Sequence, residues 1–88
     1  MTFRIMLSET AARQLRKLPQ DIRNRIAKGS RVLERDPFRP RPKADIRIIE
    51  GTEPRKYRLR VGDYRAIYAV VVREVKIVEV STRGRRYR

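Results

Sequence analysis

The segment KYRLRVGDYRAIYAVVV, residues 56–72, carries the clearest structural pattern in the chain. Apolar and basic residues alternate over Lys56–Val61, which is the period of a strand with one buried face. Gly62, followed by an aspartate, is a tight-turn signal. The next run, Tyr64–Val72, is apolar on both faces except at Arg65, and it therefore predicts a central strand. Together these patterns predict a β-hairpin whose first strand turns its apolar residues to one side and its basic residues to the other.

A short strand and a helix are predicted before this hairpin. Apolar and polar residues alternate from Phe3 to Leu7, as they do in a half-buried strand. Ser8 is a suitable N-cap for the following helix, in which apolar residues recur every three or four positions. Pro19 ends this first helix.

A second helix is predicted over Pro19–Arg35, because proline suits the first helical position and apolar residues again recur at helical spacing. Gly29 lies on the apolar side of this helix. It either permits close packing against another helix or is a tolerated glycine that costs about 1 kcal/mol relative to alanine. The sequence leaves both interpretations open. Three prolines then predict a stiff, extended connector over Arg35–Asp45.

Two further strands complete the predicted sheet. Isoleucines indicate one at Ile46–Ile49, and alternating apolar residues indicate the other at Val75–Val80, after a turn at Arg73 and Glu74. One strand, two helices and four strands in this order indicate an α+β fold. We expect an N-terminal strand, a helical hairpin and a four-stranded antiparallel meander, with the helices packed on one face of the sheet. Residues 1–88 are interpreted as a single domain.

The composition excludes several classes of protein. The chain has 88 residues and a formal net charge of +14, and it lacks Cys, His and Trp. Without Cys and His it can form neither a disulfide nor an ordinary zinc or haem site, and the usual Ser–His catalytic pair is absent. We therefore expect a cytoplasmic protein without a metal or a cofactor. No apolar run is long enough for a transmembrane helix, and the polar start does not resemble a signal peptide.

The net charge predicts a polyanionic partner, which could be nucleic acid, an anionic membrane surface or an acidic protein. More than half of this charge lies on residues 55–88, which also contain the densest apolar pattern, so it belongs to a folded region. An arginine-rich source composition is an alternative explanation for the excess of Arg over Lys, but it does not explain the net charge. A membrane role is disfavoured, because the basic second helix has a modest apolar stripe without aromatic residues.

Arginines of the central hairpin form the candidate site. Arg58 and Arg60 lie about 7 Å apart on one face of their strand, and the turn would return Arg65 beside them. A solvated polar face explains the first two equally well, but a charge that interrupts an apolar strand rarely contributes to stability. The C-terminal tail adds Arg83 and Tyr87. Tyrosine can stack on a base or transfer a proton, although an ordinary frayed terminus has the same composition.

The chain resembles the RelE toxins of the RelE/ParE superfamily, particularly its short archaeal-type members. The resemblance lies in the hairpin sequence YRLRVGDYR at 57–65, in Ile67 and Tyr68 after it, and in the spacing of Arg83 and Tyr87. The likeness covers the whole chain, because the first strand, the Leu-Pro break between the helices, the proline-interrupted connector and the last strands follow the family's order. The resemblance implies a type II toxin that enters the ribosomal A site and cleaves mRNA. It also implies that a cognate RelB-like antitoxin, an acidic and amphipathic protein, neutralises the toxin.

The resemblance implies a chemistry as well. RelE cleavage is attack by a ribose 2′-hydroxyl on the adjacent phosphate, without a metal. Some family members carry lysines where Arg58 and Arg60 stand, and an arginine with a pKa above about 12 is a poor base. We therefore expect the arginines to bind the phosphate and to stabilise its transition-state charge. The family's catalytic positions correspond to Arg58, Arg60, Arg65, Arg83 and Tyr87. The remaining basic residues near this site are expected to bind RNA: Lys56, Arg85, Arg86 and Arg88.

Two alternative functions stay open. A ParE-like toxin would have the same fold but would inhibit DNA gyrase instead of cleaving RNA. A non-catalytic RNA-binding or ribosomal protein would use similar phosphate contacts and would not need Tyr87. Under the RelE interpretation the partners are the antitoxin, mRNA and the rRNA of the ribosomal A site, with no membrane and no cofactor.

Overall fold

The computed structural model describes residues 2–82, which form two helices packed on a five-stranded sheet. In chain order the elements are β1 (Arg4–Leu7), α1 (Glu9–Arg16), α2 (Gln20–Ser30), a 3₁₀ helix (Arg31–Glu34), β2 (Asp45–Ile49), β3 (Lys56–Val61), β4 (Tyr64–Val71) and β5 (Glu74–Thr82). The strand order is β1-β5-β4-β3-β2, so β4 is the central strand, as its apolar sequence predicts. The α+β class, the helical hairpin and the antiparallel meander from β2 to β5 are confirmed.

The N-terminal strand joins the same sheet. β1 pairs in parallel with β5, so the sheet is mixed and has five strands among the residues described. This parallel pairing is possible because the two helices between β1 and β2 return the chain across one face of the sheet. The amide of Phe3 donates to the carbonyl of Glu34 at 2.7 Å, which holds the edge strand against the end of the helical region. The alternation of residues 3–7 predicts a strand, but it does not predict which strand β1 pairs with.

Ser8 caps α1, as predicted, and also fixes the helix to the sheet. Its Oγ accepts a hydrogen bond from the amide of Ala11 at 3.0 Å and donates one to the carbonyl of Val78 at 3.1 Å. The pairing of β4 with β5 is irregular at this point. Further along α1, Oε1 of Gln14 accepts from the amide of Val80 at 2.6 Å. The side chains of Ser8 and Gln14 therefore bond backbone groups of β5 at and just beyond the irregular pairing.

The second helix ends earlier than its sequence pattern predicts. α2 stops at Ser30, and the remaining turn before the predicted end at Arg35 is the 3₁₀ helix. A Cβ added at Gly29 would lie 2.9 Å from Cγ1 of Val61 on β3, closer than real contacts allow. The glycine therefore does permit close packing, but of a helix on the sheet rather than on a second helix.

The connector after the 3₁₀ helix folds back on itself, which differs from the predicted extended segment. The guanidinium of Arg41 donates to the carbonyls of Val32 at 2.8 Å, Asp36 at 3.0 Å and Arg39 at 2.7 Å. The Asp36 carboxylate in turn accepts from the amides of Phe38 and Arg39. The prediction considered the prolines but not these side chains, which tie the backbone into a turn.

The helices bury a small apolar core against one face of the sheet. An aromatic row connects the connector to this core: the ring centroids of Phe38 and Tyr57 are 5.7 Å apart, and those of Tyr57 and Tyr68 are 5.4 Å apart. The Tyr68 hydroxyl donates to the carbonyl of Pro37 at 2.7 Å. The apolar residues at the centre of the core are Ala11, Ile26, Leu33, Ala44, Ile46, Leu59, Ala66, Tyr68, Val75, Ile77 and Val80.

Tyr68 is predicted to make the stability of the fold sensitive to alkali. It is fully buried, and burial raises the pKa of its phenol well above the ordinary value. Since an unfolded chain ionises its tyrosines near pH 10, roughly, the contribution of Tyr68 to stability is complete below that pH and falls as the pH rises beyond it. Replacement by phenylalanine removes this dependence. It also costs about 1–2 kcal/mol at neutral pH, because the hydrogen bond to Pro37 is lost.

Denaturant unfolding of the wild type and Tyr68→Phe at neutral and alkaline pH measures this effect. The variant should be less stable at neutral pH, and the difference should shrink or reverse above about pH 10. Tyr64→Phe, at a half-buried tyrosine of the same strand, is the matched control. A constant stability difference between the wild type and Tyr68→Phe at all pH values would contradict the expectation.

Candidate nucleic-acid interface

The sheet surface opposite the helices carries the arginines of the central hairpin. Strand pairing places Arg58 between Arg47 on β2 and Ile67 on β4, and it places Arg60 directly opposite Arg65. Residues directly opposite one another have Cβ atoms about 4.5–5.5 Å apart. We call this surface the arginine face and define it by Arg47, Arg58, Arg60 and Arg65. The structure thus brings the three arginines singled out from the sequence to one place.

Arg58 is the most firmly held of the arginines whose contacts define the site. Its side chain is only 17% exposed, and its Nη2 donates to Oδ1 of Asp45 at 2.8 Å. The other carboxylate oxygen of Asp45 lies 3.9 Å from Nη1 of Arg60, whose side chain is 38% exposed. Within residues 2–82, Nε of Arg58 is buried and has no hydrogen-bond partner. The face therefore has a fixed guanidinium, whose buried Nε is turned away from solvent.

The electrostatics show how closely these groups are coupled. Burial lowers the pKa of the Arg58 guanidinium from its ordinary value, and the adjacent carboxylate of Asp45 opposes that change. The positive charges of Arg47, Arg60 and Arg65 lower the pKa further. An arginine nevertheless stays protonated at neutral pH. The face is thus a cluster of permanent cations, in which the carboxylate of Asp45 lies next to Arg58 and Arg60.

This arrangement can bind a phosphate and stabilise negative charge that develops on it. Guanidinium groups bind phosphate oxygens through two parallel N–H donors, and their positions here are set by a sheet rather than by a loop. Lys56 lies on the same side of β3, one strand period before Arg58. Within residues 2–82, no cluster of potential ligands is arranged to hold a metal ion. Among the helices of the same segment, none is long and apolar enough to span a bilayer.

Comparison with known families identifies the class of protein. The family described as ParE toxin of type II toxin-antitoxin system, parDE, matches residues 5–87 of this chain. The chain belongs to the RelE/ParE superfamily of type II toxins. The resemblance inferred from the hairpin and the tail is therefore confirmed. No curated protein matches the toxin.

Solved structures give the same assignment and favour its RelE branch. A chain of the archaeal RelE–RelB complex from Pyrococcus horikoshii OT3 is 36% identical to the toxin. The match covers 98% of the toxin and 100% of the archaeal chain, with a TM-score of 0.79. A chain of the RelB–RelE complex from Methanococcus jannaschii is 27% identical, and the match covers 89% of each chain with a TM-score of 0.68. The intact RelBE complex of E. coli, at 23% identity, covers 97% of the toxin and 100% of the matching chain with a TM-score of 0.63, and shows the fold alone.

The C-terminal part of the predicted site lies outside the described residues. The last described residues of the toxin, Ser81 and Thr82, are the cross-strand partners of Arg65 and Tyr64. The chain therefore leaves the described structure beside the arginine face. The predicted site residues that lie outside the described residues are Arg83, Arg85, Arg86, Tyr87 and Arg88.

Sequence reasoning missed Asp45 and Arg47, which belong to the same surface of the toxin. Both alternate with isoleucines along β2, and this alternation is the signal that marks them as residues of one sheet face. Their partners could not be predicted, because the register of β2 against β3 depends on the connection over residues 50–55 rather than on a tight two-residue turn.

Proposed function

We propose that this toxin is a ribosome-dependent endoribonuclease that cleaves mRNA in the A site and thereby inhibits translation. The observation that carries the proposal is the placement of Arg58, Arg60 and Arg65 on one sheet surface, on a chain 36% identical to a component of an archaeal RelE–RelB complex. A cluster of fixed cations on a sheet is suited to a backbone phosphate and not to a neutral substrate. The proposed site of action is the cytoplasm.

The proposed reaction needs a charged transition state to be stabilised at one phosphate. The ribose 2′-oxygen forms a bond to phosphorus, the bond to the 5′-oxygen breaks, and the products are a 2′,3′-cyclic phosphate and a 5′-hydroxyl. Arg58, Arg60 and Arg65 bind the non-bridging oxygens and stabilise their charge. Because these arginines stay protonated, proton transfer falls to other groups. We assign to Tyr87 base stacking and proton transfer, and to Arg83 either stabilisation of the leaving oxygen or relay of its proton.

The proposed partners follow from the charge of the toxin and from its relatives. The structural relatives are complexes with RelB antitoxins, and a net charge of +14 suits an acidic, amphipathic antitoxin. The same charge suits the rRNA that surrounds the A site, where Lys56 and the basic tail are proposed to contact the RNA backbone. No cofactor is part of the proposed mechanism.

A single 2′-deoxy substitution in the message tests the proposed reaction. Ribosomes are programmed with an mRNA in which the nucleotide before the scissile phosphate is either ribose or 2′-deoxyribose, and the cleavage products are mapped. We expect cleavage of the ribose message at the A-site codon and at least about a 10³-fold slower reaction of the deoxy message, because the nucleophile is absent. Equal cleavage of the two messages would contradict attack by the 2′-hydroxyl. If neither message is cleaved, the proposed nuclease activity is wrong.

A second candidate is inhibition of DNA gyrase, because the family that matches residues 5–87 carries the ParE description. The two activities are separated by testing the same toxin preparation on gyrase supercoiling and on programmed ribosomes. Inhibited supercoiling with an intact message would select the ParE-like function. The similarity to chains of RelE–RelB complexes, at 36% and 27% identity, makes us place the ribosome first.

A further inference from the structure

Asp45 occupies the position on the arginine face at which the bound phosphate is expected. Its two carboxylate oxygens face two different guanidinium groups, with 2.8 Å from Oδ1 to Nη2 of Arg58 and 3.9 Å from Oδ2 to Nη1 of Arg60. Guanidinium groups bind carboxylates and phosphates through the same paired N–H donors. A phosphate that contacts both arginines must therefore take the place of this carboxylate.

The exposure of the three side chains shows which of them can move. Arg58 is 17% exposed and is held by its strand neighbours, whereas Asp45 is 52% exposed at the start of β2, next to the end of the connector. Turning the aspartate towards water costs little, because a carboxylate at that exposure is already largely hydrated. Moving Arg58 would expose a buried stem and its packing. The carboxylate is thus the movable partner and the guanidinium the fixed one.

The charge balance explains why such a carboxylate is useful. Arg47, Arg60 and Arg65 repel Arg58, and within residues 2–82 Asp45 is the neighbouring charge that favours its protonated form. When RNA is absent, this carboxylate keeps the arginines together. When a phosphate binds, it replaces one anion by another, so the arginines need not lose much additional water. Phosphate binding is therefore weakened, since the phosphate has to compete with the internal anion.

We propose that Asp45 is a displaceable internal anion that holds the phosphate position of Arg58 and Arg60 until the RNA backbone replaces it. This inference rests on the proposed function only in taking RNA as the ligand, and it does not require that the RNA is cleaved. Asp45 is in this sense a positioning residue, because it acts through the arginines and not on the reacting atoms.

The test compares Asp45→Asn with wild type in binding a short single-stranded RNA whose 2′-hydroxyls are methylated, so that no cleavage interferes. Fluorescence anisotropy at several salt concentrations gives the dissociation constant and its salt dependence. We expect Asp45→Asn to bind about three- to tenfold more tightly at low salt, because the competing charge is gone. The slope of log K against log salt should be steeper by about one, since the freed arginines release one more counterion.

Glu50→Gln is the matched control, because it removes one negative charge by the same chemical change at an exposed residue beyond the other end of β2. Equal tightening by Glu50→Gln and Asp45→Asn would reduce the effect to net charge and overturn the proposal. Unchanged or weaker binding by a folded Asp45→Asn would overturn it as well.

A measurement on the wild type covers the case in which Asp45→Asn does not fold. The ¹³C chemical shift of the Asp45 carboxyl and the guanidinium signals of Arg58 are followed during titration with the same RNA. We expect both to change with one midpoint, as displacement requires. A change at Arg58 without one at Asp45 would overturn the proposal. Tighter binding by Asp45→Asn together with no cleavage on ribosomes would refute the nuclease but leave this inference intact.

Discussion

Replacing Arg58 by alanine should reduce mRNA cleavage on programmed ribosomes by about 10²–10³-fold in kcat, which is the usual cost of removing one fixed donor from a developing negative charge. Arg58 has a part-buried side chain, which the sheet and the ion pair with Asp45 hold in place. A fixed donor stabilises a transition state more than a mobile one, because it does not have to be ordered during the reaction. The effect should therefore lie mainly in kcat.

The same substitution should leave the folded state nearly intact. Arg58 is desolvated and repelled by three neighbouring arginines, and the ion pair with half-exposed Asp45 offsets this only in part. We expect the free energy of unfolding to fall by about 1–2 kcal/mol, mainly because the packing of the buried stem is lost. Single-turnover cleavage and denaturant unfolding of the same preparation measure the two effects.

Arg47→Ala is the matched control for this experiment. Arg47 is the cross-strand neighbour of Arg58 on β2, lies on the same face and is exposed. Its removal lowers the local positive charge equally but deletes no fixed donor. A loss of less than about threefold is expected, as for a solvated charge. Equal losses in the two variants would show that the face acts only through its overall charge.

The local sequence was sufficient to predict the strands and helices of this fold. The alternation over Lys56–Val61, the turn at Gly62 and the apolar run of β4 each appear where expected. These signals lie within a few residues of one another, so short-range sterics and burial determine them. The turn between β4 and β5 differs slightly, because β4 ends at Val71 and Val72 takes a positive φ of 57°.

Contacts between residues far apart in the chain could not be predicted from the local sequence. The parallel pairing of β1 with β5 joins residues about 70 positions apart, and the compact connector depends on the side chain of Arg41. The same holds for the candidate site, of which only the residues close together in the chain could be grouped from the sequence. The three arginines of one hairpin could be grouped from strand alternation, whereas Asp45 comes from a strand whose register no local signal determines.

The largest effect on stability is expected for Leu59→Ala. Leu59 is 1% exposed, lies on the core side of β3 and has Ile46 and Ala66 as its cross-strand partners. Truncation of a fully buried leucine costs about 2–5 kcal/mol, partly through the cavity that remains. A domain of this size has few kcal/mol to lose, because its core is small. We therefore expect a substantial unfolded fraction at 37 °C, measured by thermal and denaturant unfolding.

Ile48→Ala on the adjacent strand is the control, since Ile48 lies on the same side of the sheet but is 49% exposed, and its loss should cost less than about 1 kcal/mol. Leu59 lies between Arg58 and Arg60 in the chain, so variants at these positions compare the core side of β3 with the arginine face.

Leu59→Ala should reduce cleavage only in proportion to the unfolded fraction, and cooling should restore the cleavage. Arg58→Ala should keep its reduced cleavage at every temperature at which it is folded. If cooling does not restore the cleavage by Leu59→Ala, the core side of β3 must position the arginines as well as stabilise the fold.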